Sequence, residues 1–524
     1  MNENGASTPV KPNPLKEIVQ PFIDLVHAPR ALWGINLGYT IEGLSYFGIL
    51  TYLAMHFSDF IFVGVEHADV WSHNMVMIQT AGIAISMVVL GFVPDRWGVR
   101  RALIGSFVLL LIGRVIMSAA PSLLGLQPAG LWSPLHIVTI GGILLVVVGY
   151  GVYQPAAYAA VRQFTTEKTA SMAYAMLYAL MNAGSSLAMM AFLLRDKEFL
   201  GLGISGTFWV YTALTLVALV ATVVLLSKKT VEATIARAKQ ESAAIKKAEE
   251  AVAAVATPAP KAAATRVPAT AWVVLVAILA AIVWRVPDPV RWWLAAIVVA
   301  LPMLIAISPG TMRARVLGWV STHPLADAKF FFFIFALIPV QTLFTYNWLI
   351  LPQYISRAYH GWIGEYFEIA SNANPILIFI LVPVLTALTY RAKVYNMMIW
   401  GTLVMGSSAF VLALGPYPSA LITYIVLMTI GEAMWSARFL QYATEIAPEG
   451  RAGQYQGVAQ LPWFLTKFLV PLLYSGHMME RYCPADGTQD TGGMWLIFAL
   501  IAMTTPVMLF FARGWVGKDF RTKA

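Results

Sequence analysis

Stretches of about 20 mostly apolar residues, the length a helix needs to cross the hydrocarbon core of a bilayer, recur along the whole chain. They fall at residues 32–56, 75–94, 102–120, 137–161, 171–194 and 207–226. Two shorter ones follow at 271–286 and 292–307, and six more at 330–351, 376–390, 395–414, 421–441, 455–474 and 494–512. The pattern predicts an all-α polytopic membrane protein with about fourteen transmembrane helices. Between the sixth and seventh stretches the pattern breaks. Residues 232–250 are charged and alanine-rich and read as a solvated helix, and residues 251–270 are an Ala/Pro-rich linker.

Composition strengthens this reading. Of the 524 residues, 59% are hydrophobic and 12% charged, against about 25% charged in a soluble domain. The mean hydropathy is +0.70. A water-soluble chain this apolar lacks the polar groups to cover its surface. The single cysteine, Cys483, excludes an intrachain disulfide framework and a cysteine-built metal cluster. The eight histidines have no metal-ligand spacing, and no phosphate-binding Walker loop is present. No metal, cofactor or enzymatic chemistry is therefore expected. Residues 1–29 lack the charged-then-apolar order of a cleavable signal, so the first span is expected to act as an uncleaved anchor.

The net charge of +9 sits mostly in short loops, which points to membrane orientation rather than to a nucleic-acid partner. The first loop holds Asp59, Glu66 and Asp69 without Lys or Arg. The second holds Arg96, Arg100 and Arg101, the fourth Arg162 and Lys168, and the sixth opens with Lys228 and Lys229. Arg313, Arg315, Arg391 and Lys393 continue the alternation, and Arg513, Lys518, Arg521 and Lys523 end it. The positive-inside rule then places both termini in the cytoplasm of a plasma membrane, the inner membrane in a bacterium. The expected organisation is a cytoplasmic segment (1–29), a six-helix bundle (30–228), the charged helix and linker (229–270), two inserted helices (271–308), a second six-helix bundle (309–514) and a cytoplasmic tail (515–524). Two six-helix halves are the plan of many secondary transporters. A weak internal echo between residues 150–182 and 431–468 agrees with it. Trp71, Trp132, Trp284, Trp292 and Trp293 stand at span ends as interfacial anchors.

The strongest local motif is Gly91-Phe-Val-Pro-Asp95-Arg96-Trp-Gly98-Val-Arg100-Arg101, between spans two and three. Gly98 permits a turn. Asp95 can face the positive end of a neighbouring helix, and the arginines can bind carbonyls, carboxylates or anionic headgroups. Positive-inside charge explains the arginines but not the acid and glycines at these spacings. The motif resembles the signature loop of the major facilitator superfamily, in which it stabilises one side of an alternating-access cycle. The resemblance implies that latch role for Asp95, Arg96 and Arg100, with Gly91, Gly98 and Arg101 completing the motif, and a two-bundle fold.

A narrower resemblance follows. Ile41-Glu42-Gly43-Leu44-Ser45-Tyr46-Phe47-Gly48 is similar to the first-span motif of proton-dependent oligopeptide transporters. Glu42 takes the place of that motif's second glutamate. Tyr39 stands where the first would be, and Gly43 where the arginine would be. Gly149-Tyr-Gly-Val-Tyr-Gln154-Pro155 resembles the family's fourth-span motif, with Gln154 in place of its lysine. Arg162-Gln163-Phe164, Tyr178 to Gly184, Gly431-Glu432 and Ala447-Pro448-Glu449 continue the similarity, as do the two inserted helices. The resemblance implies that Glu432 helps hold a peptide amino group. The changed positions are those that serve proton coupling and carboxylate binding.

The residues themselves point to a polar cavity. A charge at mid-membrane costs about 2.5–3.5 kcal/mol even on lenient scales, so it marks function by default. Glu42 lies mid-span, with Tyr39, Tyr46 and Asn36 on its face. Desolvation favours a neutral glutamate, so Glu42 is the candidate for proton coupling; a protonated glutamate in simple helix packing is the plainer alternative. Tyr150, Gln154 and Tyr158 recur every four residues on span four. With Asn36, Tyr39, Tyr46, Asn182, Gln341, Glu432 and Lys467 they are candidate substrate contacts, although each alone is more often interhelical glue. A Glu432–Lys467 ion pair would lower the cost of burial, as structure or as gate. Arg438 and Arg114 are read as charges that snorkel outward.

The expected function is a secondary transporter coupled to protons, with a small polar solute such as a short peptide as substrate. It needs no cofactor and no nucleic acid; membrane lipid is its surrounding, and a monomer suffices. An exporter or carrier of a non-peptide solute remains open. So does a membrane receptor, for which residues 232–250 are the one signalling segment available.

Overall fold

The computed structural model describes residues 29–165, 167–252, 323–389, 392–445, 455 and 458–516, with isolated positions between 280 and 318. The segment 1–28, the linker 253–270, most of the inserted pair 271–308, the loop 446–454 and the tail from 517 lie outside the described residues.

Twelve membrane rods are present among the described residues. In the first half these are α1 (Arg30–His56), α2 (Ala68–Leu90), α3 (Val99–Ser122), α4 (Pro134–Phe164), α5 (Glu167–Leu187) and α6 (Gly203–Leu225). A connector helix, Lys228–Val252, follows. In the second half, α7 runs in three segments, Ala328–Ala336, Ile338–Leu349 and Leu351–Ala358. α8 runs as Phe367–Ser371 and Asn374–Leu388, α9 is Val394–Leu412 and α10 is Pro418–Glu445. α11 comprises Leu461–Val470, a wide turn at Pro471–Ser475 and Gly476–Tyr482, and α12 is Thr491–Phe511. Eight of the rods are each long and apolar enough to cross a membrane. Their outward faces are apolar: Val88, Leu388 and Phe511 are each at least 75% exposed, a surface that only lipid tolerates.

Prolines explain the broken rods. A proline lacks the backbone N–H and crowds the preceding turn. Pro339, Pro352, Pro375 and Pro462 each begin a new segment. The span read from sequence as continuous over 330–351 is thus three pieces reaching Ala358. The first break is patched from α12. The Thr505 hydroxyl donates to the Ala336 carbonyl at 2.7 Å and accepts from the Val340 N–H at 3.0 Å. These two backbone groups, four residues apart, would pair with each other in an unbroken helix, and the threonine satisfies both.

Close helix pairs hold each half together. α3 packs on α4 where Gly113 meets Gly142; a Cβ on either would lie 2.6–2.7 Å from the other's carbonyl oxygen. α9 packs on α10 in the same way at Gly401 and Gly431, where a Cβ on Gly431 would lie 2.4 Å from the Met405 nitrogen. Small residues let the backbones touch, which is how helices gain packing energy in lipid.

The connector helix is not fully solvated. Val231, Thr234 and Ala238, spaced along one face, are buried, and the helix packs against α1 and α4. The halves meet along α2 with α11 and α5 with α8.

Candidate functional site

At the centre of the first half, Glu42 and Arg114 form an ion pair that the sequence reading missed. Arg114 Nη1 donates to Glu42 Oε2 at 2.8 Å, and Nη2 donates to Oε1 at 2.5 Å. Glu42 is 0% exposed and Arg114 2%. The Tyr150 hydroxyl donates to Glu42 Oε1, and Arg114 Nη1 also donates to Thr215 Oγ1. Four helices, α1, α3, α4 and α6, thus converge on one charged pair. Arg114 does not snorkel outward: from the middle of α3 it turns inward, because a bidentate carboxylate and a hydroxyl satisfy it there. The readable signal was two opposite charges, each at mid-span.

Gly43 explains why the cation comes from α3. A Cβ at this position would lie 2.7 Å from the Met181 carbonyl oxygen on α5. Gly184, on α5, would place its own Cβ 2.1 Å from the Thr40 carbonyl oxygen. The α1–α5 contact leaves no room for an arginine at position 43.

Tyrosines wall the pair. Tyr46 meets Tyr150 edge to face at 5.0 Å, and Tyr39 stacks on Tyr153 at 5.5 Å. The hydroxyls of Tyr39 and Tyr158 are hydrogen-bonded to each other, which extends the wall to a ring that is 44% exposed. A narrow crevice lined by Tyr46, Gln79, Arg114 and Met117 adjoins it. Asn36 is buried with neither side-chain polar atom bonded, and Gln79 Oε1 is likewise unpartnered. Gln154 and Asn182 are half-buried.

The second half carries a different polar group. Glu432, on α10, is 8% exposed, and Asn374 Nδ2 donates to its Oε2 at 2.8 Å. The expected Glu432–Lys467 pair does not form. Lys467 points instead over the Trp463 ring, its ammonium 5.0 Å from the centroid, since a cation–π contact on its own helix is within easier reach. Gln341 is buried with its Oε1 unpartnered. The Arg438 side chain lies outside the described residues.

At one end of the molecule the latch motif makes a single defined bond. Gly98 turns the chain at φ +78°, and Arg100 Nε donates to the Leu226 carbonyl at the C-terminus of α6, 2.6 Å away. Arg96 lies over the Phe92 ring, while Asp95 and Arg101 are exposed. Asp95 sits in the first turn of a short helix, Val93–Trp97.

At the opposite end the two halves are clasped. Arg357 donates to both Asp69 oxygens, at 2.6 and 2.8 Å, and lies 3.6 Å from Asp59. His73 bridges Ser475 at 2.7 Å and Gln353 at 2.8 Å. Tyr52 and Arg195 both donate to Glu368 Oε1, and the amide of Asn372 reaches Thr51. A Cβ on Gly476 would lie 2.4 Å from the Val70 backbone, so α2 and α11 are in direct contact. Outermost, His67 Nδ1 meets Glu480 at 2.9 Å, and that carboxylate raises the His67 pKa above its ordinary value. Among the described residues, every hydrogen bond and ion pair that joins the halves lies at this end. The sequence reading took Asp59 and Asp69 only as an acidic loop and passed over His73, Arg195, Arg357 and Glu368.

The family model of the Major Facilitator Superfamily matches residues 35–471. Solved structures agree in fold. A POT family transporter, PepTSo, superposes with a TM-score of 0.65 at 17% identity, over 94% of this chain and 99% of that one. A peptide transporter POT in complex with sulfate gives 0.62 at 17% identity over 94% and 96%. A POT family transporter in complex with a thioalcohol-conjugated peptide gives 0.60 at 15% identity over 96% and 100%. No curated protein sequence matches the chain. Two clasped six-helix halves, each with a buried polar group, and a family match over most of the length lead to one conclusion: the chain is a membrane transporter of the Major Facilitator Superfamily.

Proposed function

We propose that the protein carries a small polar solute, such as a short peptide, by proton-coupled alternating access. The observation that carries this reading is a buried glutamate at mid-span in each half, Glu42 within the Arg114–Tyr150–Thr215 cluster and Glu432 beside Asn374. Such groups are retained in lipid for substrate or ion pathways. The clasp of Asp69, Arg357, His73 and Glu368 closes one end. With the latch end in the cytoplasm, as the loop charges argue, the closed end faces outward. Tyr39, Tyr46 and Tyr158 offer an aromatic wall in one half, and Glu432 and Lys467 offer an acidic and a basic group in the other. A zwitterionic solute suits such a set. The peptide named with a related structure supports the substrate class by analogy of fold.

A second reading, a non-peptide solute or export, is favoured by Gly43 and Gln154, which stand where the peptide-transporter motifs carry a cation. Uptake of labelled dialanine and trialanine into proteoliposomes, with and without an inward proton gradient, separates the two. Gradient-driven accumulation supports the peptide reading. Absence of uptake of both peptides sinks it in favour of the second.

A further inference from the structure

We infer that the proton-bearing carboxylate of this transporter is Glu432, in the second half, and that Glu42 serves instead as the fixed structural partner of Arg114. The inference rests on the proton-coupled reading above and assigns it a residue.

The two buried glutamates differ in what their oxygens meet. Both oxygens of Glu42 are taken: Oε1 by Arg114 and Tyr150, Oε2 by Arg114. Three donors, two of them cationic N–H groups, thus stabilise its carboxylate form, and the residue is 0% exposed. Protonating Glu42 would leave the Arg114 guanidinium, 2% exposed, with only the neutral hydroxyls of Thr215 and Tyr150 among the described residues, and a buried cation without its partner is strongly unfavourable.

Glu432 is the reverse case. Its Oε2 accepts one N–H from Asn374, while Oε1 has no hydrogen-bond partner and is not sealed from the surroundings. That is the arrangement a neutral carboxylic acid needs: the carbonyl oxygen accepts, and the hydroxyl has space to donate. Asn374 itself lines a crevice with Asn347, Ser371 and Tyr424, so the one partner of Glu432 borders a polar cleft. Among the described residues, the groups around it carry no compensating charge. From α8 comes the Asn374 amide, and from α10 itself Thr429. From α7 comes Asn347, whose carbonyl oxygen is taken by Tyr424. From α11 the nearest cation is Lys467, turned onto Trp463. Among the described residues, no Lys, Arg or His lies within 4.0 Å of this carboxylate. A buried carboxyl group without a cation takes up a proton in preference to standing charged.

The proton itself can be read without knowing the substrate. Infrared difference spectra of the purified full chain in lipid, titrated from acid to alkaline pH, report the carbonyl stretch of protonated carboxyl groups. The expected result is a band that disappears in Glu432→Gln and persists in Glu42→Gln. Asn374→Leu should move that band to higher frequency, because its carbonyl loses a donor; a glutamate that stays a carboxylate has no such band to move. Unchanged monodispersity on size exclusion certifies each variant as folded. A band lost in Glu42→Gln and kept in Glu432→Gln, or one indifferent to both, overturns the inference. Dialanine uptake by the same preparations is scored separately. A band assigned to Glu432 in a protein that moves no peptide would leave the inference standing and remove the substrate reading.

Discussion

Arg114 holds Glu42 with two parallel hydrogen bonds, 2.8 and 2.5 Å long, where neither side chain is more than 2% exposed. Removing one member of such a pair leaves a bare charge in the bundle, at a cost of roughly 3–5 kcal/mol. Arg114→Met should therefore lower the unfolding temperature of the detergent-purified protein sharply. Arg114→Met combined with Glu42→Gln should recover much of the loss, since no charge is then left unpaired. Equal destabilisation by the single and double variants would contradict the pairing.

The clasp predicts a shift in conformation rather than in stability. Arg357→Gln removes the guanidinium that Asp69 and Asp59 share across the halves. A loss of about 3 kcal/mol from the closed state shifts its ratio to the open state roughly 100-fold. Spin labels at Val63 and Asp486, one on each half near this end, would record longer distances. A distance distribution identical to that of the unsubstituted protein would rule out the gating role.

Acid should tighten the same end. The Glu480 carboxylate, hydrogen-bonded to the ring, raises the pKa of His67 above the ordinary imidazole value of about 6.5. The bond to the closed state is therefore fully present below that value and is lost as the pH rises through the raised one. In the same labelled protein, the open fraction should grow from pH 5 to pH 9, and His67→Gln should flatten the dependence. A pH response of the same size in that variant would assign it to another group.

Gly43→Ala should cost about 1–3 kcal/mol by overpacking, because the added Cβ meets the Met181 carbonyl oxygen, a backbone atom, at 2.7 Å. Gly184→Ala, at 2.1 Å from the Thr40 carbonyl oxygen, should cost more. Thermal unfolding checks the order; a neutral Gly43→Ala would mean that α1 and α5 part easily and that the position has room for a side chain.

The span pattern was legible because lipid demands long apolar helices, and the rods that follow it need little tertiary information. The segmentation of α7 was legible in principle, since Pro339 and Pro352 each forbid a continuous ladder. Its repair by Thr505, 165 residues from Val340, was not. The site divides in the same way. Glu42 stood out as a mid-span charge, and Tyr39, Tyr46, Tyr150 and Tyr158 followed from helical spacing. Arg114 carried the same signal, but snorkelling explained it equally well until α6 and α1 were seen on either side. The Glu432–Lys467 pair was inferred from two charges in neighbouring helices; helix rotation, which a linear pattern does not encode, turns Lys467 onto Trp463. The clasp was invisible for a plainer reason: Asp69 and Arg357 are 288 residues apart, and neither is unusual at the end of a span.

The glycine contacts and the helix breaks divide the helices into stiff and jointed members. Where Gly113 meets Gly142 and Gly401 meets Gly431, backbone rests on backbone, and neither pair can slide without atoms colliding. α3–α4 and α9–α10 are therefore stiff levers. α7 and α11, cut at Leu337, Ile350 and Pro471–Ser475, are the jointed members, and prolines and wide turns are where helices bend. When the clasp lets go, the tilt must be taken up at these joints, with the Thr505 hydroxyl as the pivot pin of the first. Label pairs across α3–α4 should hold their spacing through the cycle while the two ends of α7 change their angle.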